Sequence, residues 1–250
     1  VLGKDVELPT IYVLVGEYGI ALLAEGTIEV TEMNADGTAQ KKYIAQDLAT
    51  WIGEHGSANL EKVSIKLLND DASITSTLTI DTRLAKEIEL DLNGHTLTLQ
   101  GDNARLYFKR ANITIISSGS KEGTITGSYQ YGQDRLKGDG LITVDRVLKI
   151  EHVTIKNAGT GSTVAMWRGA TCTIDKANIS GSNGSQEGVI TIWDSNACTI
   201  TNTEVTGNVA SGYGAIMFMG SCSNCIISEG AVIKNENSGS YCVKVTGNYN

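Results

Sequence analysis

The feature that most constrains this chain is a side-chain pattern that repeats about every 26 residues from Val164 onward. The pair Val164 and Met166 returns as Ile190/Ile192, Ile216/Phe218 and Val243/Val245. In the same way Cys172 returns as Cys198 and Cys225, and Ile179 returns as Val205 and Val232. Repeats of this length are typical of solenoids, whose units cannot bury their own apolar side and must stack on each other. The sequence therefore predicts a stack of coils.

Each coil consists of three predicted strands. Apolar residues alternate at period two, in runs too short for helices, and Gly, Asn, Ser and Asp separate the runs. One such coil is Ile142/Val144, Leu148/Ile150 and Val153/Ile155, and similar triplets extend back to Ile65 and Leu67. The pattern resembles the right-handed parallel β-helix of the pectate-lyase superfamily, and the hand follows from the preference for right-handed crossovers. We expect an all-β, three-sheet solenoid over residues 61–250.

The first 60 residues are predicted to be short strands and a capping helix. Tyr43, Ile44, Leu48 and Ile52 recur at helical spacing between Thr38 and Gly56. A helix there would cover the open end of the first coil, where unpaired strand edges would otherwise recruit other chains. Residues 1–37 suggest two or three strands, with a turn at Asn34, Asp36 and Gly37, and residues 11–24 suggest a buried hairpin.

The two ends of the chain suggest a fragment. Val1 is not preceded by an initiator Met or a signal peptide, which is expected of a mature or excised piece. After the last predicted strand, Cys242 to Val245, no helix follows that could cover the final coil. Either further coils have been left out, which we favour, or self-association covers this edge.

Charge and composition exclude two classes of partner. The formal charge of −8 and a sequence pI near 4.9 argue against nucleic-acid binding. Any polyanionic ligand would need a local basic exception or bound cations. No stretch of about 20 apolar residues is present, so no membrane span is predicted. One elongated domain suits 28 Gly, one Pro and 41% apolar residues.

The five cysteines are predicted to be free thiols rather than a disulfide framework. Cys172, Cys198 and Cys225 occupy one position in successive coils, where Cys packs as a small apolar residue. Parallel strands lie about 4.8 Å apart, so a disulfide between adjacent members stays an alternative. Cys222 and Cys225 have metal-like spacing, but without a second pair or a nearby His we expect no zinc and no cofactor.

A second resemblance covers about a quarter of the chain. The segments VSIKLLNDDASITSTLTI and EIELDLNGHTLTLQG, within residues 44–101, are similar to the opening of β-helix domains in large bacterial surface and secreted proteins. The resemblance implies an extracellular setting, at a bacterial cell surface or secreted. Asn93 and Gly94 need no functional explanation, because both residue types tolerate the left-handed conformation of a tight corner.

Ligand binding is predicted on the outer face of the coils, beside the long loop at residues 127–140. Trp167 and Trp193 are 26 positions apart and should be stacked in adjacent coils, with Met217 and Met219 continuing an apolar strip. Sugar rings pack their C–H faces on such aromatic side chains. The predicted ligand-binding residues are Tyr107, Tyr129, Tyr131, Arg135, Trp167, Trp193 and Met219, with Lys137 and Asp139 nearby. Alternatively, residues 11–23 or loops cover the strip, or a register slip places both tryptophans inside.

Catalysis is the weaker hypothesis. Hydrolases of this fold use paired carboxylates, and the motifs expected for them are absent. Lyases of the fold need a Lys or Arg base beside a calcium site, so calcium enters only under that alternative. The candidate catalytic residues are Lys109, Asp145, Arg168 and Asp194, which equally fit a ladder of surface ion pairs.

The sequence therefore favours a non-catalytic β-helix module that is adhesive or binds a polysaccharide or a host or cell-surface glycan. Two alternatives stay open. One is a polysaccharide lyase or glycoside hydrolase, and the other is a structural subunit that assembles through its open end.

Overall fold

The computed structural model describes residues 12–14, 20–22, 26–130, 139–167, 170–181, 188–195, 197–208, 214–235 and 241–247. Over these residues the chain forms an all-β, three-sheet parallel solenoid of about six turns, with one helix near its amino-terminal end. The predicted fold class is confirmed.

The bounds of the elements follow the predicted triplets. Before the first coil come β1 (Tyr12–Leu14), β2 (Ile20–Leu22), β3 (Ile28–Met33), β4 (Ala39–Ala45) and α1 (Leu48–His55). The next strands are β5 (Leu60–Leu67), β6 (Asp71–Ile74), β7 (Thr77–Asp81), β8 (Ala85–Asp91), β9 (Thr96–Leu99), β10 (Arg105–Lys109), β11 (Asn112–Ile116), β12 (Gly123–Gly127) and β13 (Gly140–Val144). They are followed by β14 (Val147–Glu151), β15 (Val153–Asn157), β16 (Ser162–Met166), β17 (Thr171–Asp175), β18 (Asn178–Gly181), β19 (Ile190–Trp193), β20 (Ala197–Thr201), β21 (Glu204–Asn208), β22 (Gly214–Met219), β23 (Cys225–Ile227), β24 (Val232–Asn235) and β25 (Tyr241–Thr246).

Three parallel sheets form the sides of the solenoid. Sheet 1 contains β5, β8, β11, β14, β17, β20 and β23, and the hairpin β3–β4 extends it. Sheet 2 contains β6, β9, β12, β15, β18, β21 and β24, and sheet 3 contains β7, β10, β13, β16, β19, β22 and β25. Each strand pairs with the strand one coil away. Equivalent residues of successive coils therefore lie in one column, with about 4.8 Å between neighbours in that column.

The inward columns form one continuous apolar core. In sheet 3, Val164, Ile190 and Ile216 are paired in successive coils and are fully buried, as the repeat predicted. One predicted column is wrong by a residue in the last coil, where Val205 lies beside Ile233 and not beside Val232. Five residues separate the inward Ile227 and Ile233, against four between Ile200 and Val205 one coil earlier, so Val232 turns outward and is 44% exposed.

The cysteine column is confirmed. Cys172 pairs with Cys198 and Cys198 with Cys225, and all five cysteines are free thiols. A hydrogen bond with Cys198, together with burial, raises the pKa of Cys172 well above its ordinary value. Burial raises the pKa of Cys225 to about 12. These thiols therefore stay protonated at neutral pH and pack as apolar side chains.

A hairpin and a helix cover the amino-terminal end of the stack. The predicted turn is present, since the Gly37 N–H donates to the Asn34 carbonyl (3.0 Å). The predicted helix is shorter than expected: Tyr43 and Ile44 belong to β4, because this turn brings residues 39–45 against β3. Asp47 caps α1 by accepting the Thr50 N–H (2.7 Å). β1 and β2 pair antiparallel, as the predicted hairpin requires.

Asp71 joins this cap to the first coil. Its carboxylate is 1% exposed and accepts the Leu48 N–H at the start of α1 (2.9 Å). It also accepts the Thr27 hydroxyl before β3 (3.2 Å) and the Ser73 N–H within β6 (2.7 Å). One side chain therefore satisfies donors from the hairpin, the helix and sheet 2.

The coils differ in length mainly at the crossing from sheet 2 to sheet 3. Ile142 pairs with Leu106, which lies 36 residues earlier, whereas Val164 pairs with Ile142 only 22 residues earlier. Much of the difference arises between β12 and β13, where the chain runs from Gly127 to Gly140. The sheets keep their register across this change.

Candidate functional site

The outer face of sheet 3 carries the side chains predicted to bind a ligand, in two rows that cross the coils. The inner row is Tyr107, Thr143, Ala165, Thr191, Met217 and Lys244. The rim row, where the strands leave sheet 3, is Asp81, Lys109, Asp145, Trp167, Trp193, Met219 and Thr246. Alternation along each strand sends both rows outward.

The middle of the inner row is buried. Thr143, Ala165, Thr191 and Met217 are at most 2% exposed. Strand beginnings contribute to this packing: the Gly140 N–H donates to Thr143 Oγ1 (3.0 Å), and a Cβ on Gly140 would lie 3.1 Å from that of Ala165. Met217 therefore does not belong to the exposed strip, contrary to the prediction. The accessible apolar strip is the rim row alone.

Trp167 and Trp193 form the aromatic centre of the rim row. Their ring centroids are 6.5 Å apart with an angle of 34° between the planes, and both side chains are half-buried. Gly220 leaves room beside them, since a Cβ there would lie 3.2 Å from Trp193 Nε1. Met219, also half-buried, follows one coil later. The row therefore offers a continuous apolar surface over three coils.

Tyr129 lies in the core and not on the predicted surface. It is fully buried, and Gly161 packs against its ring so closely that a Cβ would lie 2.5 Å from Tyr129 Cδ1. Beside it, Arg105 forms an ion pair with Asp139 (2.7 Å) and lies 5.5 Å from the Tyr129 ring centroid. Asp139 is thus committed to an internal contact. Tyr131, Arg135 and Lys137 of the same predicted loop lie outside the described residues.

Tyr107 lies where this cluster meets the outer face. It is half-buried, and its ring centroid is 5.6 Å from Arg105 Cζ. Two coils separate Tyr107 from the coil of Trp167, which is roughly 10 Å along the stack. The structure therefore places Tyr107 on the same face as the tryptophans but not in contact with them.

The candidate catalytic carboxylates serve as corner caps. Asp145 accepts the backbone N–H of Arg110, which has a left-handed φ of 60°. Asp194 accepts the Ser221 N–H (2.7 Å) in the next coil. Both side chains thus stabilise the turns that leave sheet 3. Arg168, the fourth residue of the catalytic alternative, lies outside the described residues.

Asp81, in the rim row, is not tuned to act as a general acid. That role requires a raised pKa, whereas a hydrogen bond from Arg83 lowers the pKa of Asp81. The histidines lie elsewhere: His55 stacks on Trp51, His95 lies 3.7 Å from Asp70, and His152 occupies a left-handed corner.

Two exposed cations beside the rim row, Arg110 and Arg146, were not among the predicted residues. The signal was available, because a basic residue ends or follows the sheet 3 strand in each of three successive coils: Arg83, Arg110 and Arg146. These residues are too widely spaced in sequence to form a basic run. Only the coil register brings them to one corner.

No protein-family model, curated protein or solved structure matches this chain. In the described part of the chain, no three or more His, Cys, Asp or Glu side chains are grouped so as to hold a metal ion. None of the described residues forms a helix that is both long and apolar enough to cross a membrane.

Proposed function

We propose that this chain is a non-catalytic glycan-binding module of a bacterial surface or secreted protein, with an adhesive role. The observation that carries the proposal is the pair of half-buried tryptophan rings on the rim row, 6.5 Å apart. A ligand whose apolar faces repeat along a chain can contact both rings and Met219 at once. The extracellular setting rests on the resemblance of residues 44–101 to surface and secreted β-helix domains.

The chemistry of the rim row favours binding over turnover. Aromatic side chains supply rigid contact area at low conformational cost, and they dominate the binding energy of many interfaces. The carboxylates of Asp145 and Asp194 each use one oxygen to accept a backbone hydrogen bond at a corner, which supports a structural role for them.

Trp167→Ala and Trp193→Ala are each expected to weaken glycan binding by about 2 kcal/mol, or roughly 30-fold in Kd. The double variant should show no retention on an immobilised polysaccharide panel, while its circular dichroism spectrum stays that of the wild type. Tyr241→Ala is the matched control, since this aromatic residue is 58% exposed but lies in the last coil. Full retention by the double variant would refute the proposal.

The same panel distinguishes a binder from an enzyme. Incubation of soluble polysaccharides with the wild-type chain is expected to release no reducing ends and no unsaturated products that absorb ultraviolet light. Either product would establish turnover and would contradict the non-catalytic assignment.

Self-association is a second candidate function, supported by the last coil. Of the five large apolar side chains that are exposed among the described residues, four lie there: Ile226, Val232, Tyr241 and Val245. The opposite end is covered by the β3–β4 hairpin and α1. Association through this edge would join chains through the last coil.

Val245→Lys is expected to shift the chain from dimer to monomer in sedimentation velocity experiments, because a charge would be buried in the joint. Val147→Lys is the matched control, since Val147 is 37% exposed on the side of sheet 1. A wild-type chain that is monomeric at high concentration would eliminate this candidate.

A further inference from the structure

Three exposed cations lie together at the corner where the chain leaves sheet 3. Lys109 ends β10, Arg110 follows it, and Arg146 occupies the equivalent corner one coil later. The Arg146 guanidinium reaches back across the coils and donates from Nη1 to the Arg110 carbonyl (3.2 Å). The structure thus holds two arginines from adjacent coils side by side.

These cations differ from eight of the thirteen other Lys and Arg residues in the described part of the chain, since each of those eight lies within 4 Å of a carboxylate oxygen. Lys42, Arg83, Lys86, Arg105, Lys149 and Lys234 each lie within 3 Å of a carboxylate oxygen. Among the described residues, no carboxylate lies within ion-pair distance of Lys109, Arg110 or Arg146. In a chain with a formal charge of −8, three such cations at one corner form a local basic patch.

The carboxylates nearest to this corner already have partners. Asp81, one coil before Lys109, forms an ion pair with Arg83 (2.8 Å). Asp145 accepts the Arg110 backbone N–H. Asp81 also interacts electrostatically with Lys109, so this corner holds two carboxylates, Asp81 and Asp145, against four cations, Arg83, Lys109, Arg110 and Arg146, and stays basic.

The basic corner continues directly into the tryptophan pair. The Trp167 N–H donates to the Val144 carbonyl (3.0 Å), and the Thr171 N–H donates to the Arg146 carbonyl (2.7 Å). The coil of Arg146 is therefore adjacent to that of Trp167, roughly 5 Å along the stack, and Lys109 is one coil further. Cations and aromatic rings follow one line across the coils.

We infer that the ligand of the rim row is a linear acidic glycan that lies along the stack. Its sugar rings would pack on Trp167 and Trp193, and its carboxylate or phosphate groups would pair with Lys109, Arg110 and Arg146. Arginine favours such groups because its planar fork donates two hydrogen bonds to one anion. This inference rests on the proposed glycan-binding function and adds the charge of the ligand.

The test compares two triple variants of equal net charge. The first, Lys109→Gln, Arg110→Asn and Arg146→Gln, removes the basic corner, with Asn at position 110 because it tolerates the left-handed φ of 60°. The second, Lys86→Gln, Lys149→Gln and Lys234→Gln, removes three paired cations from sheets 1 and 2. Binding is measured on alginate, a teichoic acid, a neutral β-glucan and single-stranded DNA.

We expect the corner variant to lose about tenfold or more in affinity for an acidic glycan, since three modest ion pairs together are worth roughly this factor. The control variant should change by less than twofold, and binding of the neutral glucan should not change. Alginate binding would identify carboxylate as the group recognised, and teichoic acid binding would identify phosphate. The wild-type affinity for the acidic glycan should fall as salt is added.

Three results would overturn the inference: equal losses in both triple variants, no loss in the corner variant, or equally tight binding of single-stranded DNA. The failure of the proposed function is distinguishable from these. If Trp167→Ala and Trp193→Ala leave binding of every polymer intact, glycan stacking itself is wrong. If they abolish binding while the corner variant does not weaken it, only the inferred ligand charge is wrong.

Discussion

Asp71→Ala is expected to lower the free energy of unfolding by about 3 kcal/mol, because it leaves the buried Leu48 N–H without this acceptor and removes hydrogen bonds from the partly buried Ser73 N–H and Thr27 hydroxyl. The Leu48 N–H, the Thr27 hydroxyl and the Ser73 N–H all donate to this carboxylate, which is 1% exposed. Hydrogen bonds to a charged acceptor are worth more than neutral ones. Chemical denaturation followed by circular dichroism measures the change.

Asp71→Asn is the matched control, since it keeps one acceptor oxygen at nearly the same volume. We expect about half of the loss seen with alanine. The cap should also loosen before the coils, so amide exchange in α1 should accelerate more than exchange in sheet 3. If Asp71→Ala costs less than about 1 kcal/mol, this carboxylate does not hold the cap in place.

Phe108→Ala is expected to cost about 3–5 kcal/mol, the range for removal of a buried aromatic ring. Phe108 is fully buried and is paired with Ile80 and Val144 in the neighbouring coils. The solenoid core is narrow, and strand pairing holds the remaining side chains in their columns. These side chains therefore cannot move in to fill the cavity that the substitution leaves. Thermal and chemical unfolding of purified variants test this.

Lys109→Ala serves as the control on the same strand. Lys109 follows Phe108 directly but points outward and is exposed, so its replacement should change the free energy of unfolding by less than about 0.5 kcal/mol. Similar losses for both variants would mean that the alternation along β10 is wrong. The pair of variants thus tests the coil register itself.

The sequence predicted those parts of the fold that depend on the repeat. Burial on one side of a strand fixes its register, since a slip by one residue would expose the whole apolar set. Val164, Ile190 and Ile216 therefore aligned as expected. The repeat could not reveal the extra residue in the corner before β24, which moved Val232 outward, because both Val232 and Ile233 are β-branched and fit the inward position equally well.

The helix prediction failed for a related reason. Tyr43 and Ile44 match helical spacing, but they also fit a strand, and the turn at Asn34–Gly37 paired them with β3 before a helix could include them. Local pattern alone does not distinguish these outcomes, because tertiary pairing overrides propensity in short segments.

Only the site residues that follow the 26-residue repeat could be placed from the sequence. The 26-residue spacing brought Trp167 and Trp193 together. The burial of Tyr129 and Met217 depends on packing by Gly161 and by other segments across coils, and no local pattern encodes it. The capping roles of Asp145 and Asp194 depend in the same way on backbone donors from other coils.

The crossing from sheet 2 to sheet 3 absorbs most of the variation in coil length, while the strands on either side keep their pairing. New sequence inserted at this crossing would emerge where the chain enters sheet 3, at the edge opposite Trp167 and Trp193, without displacing any rung of the stack. The length of this crossing can therefore change from coil to coil while the columns of the core stay unchanged.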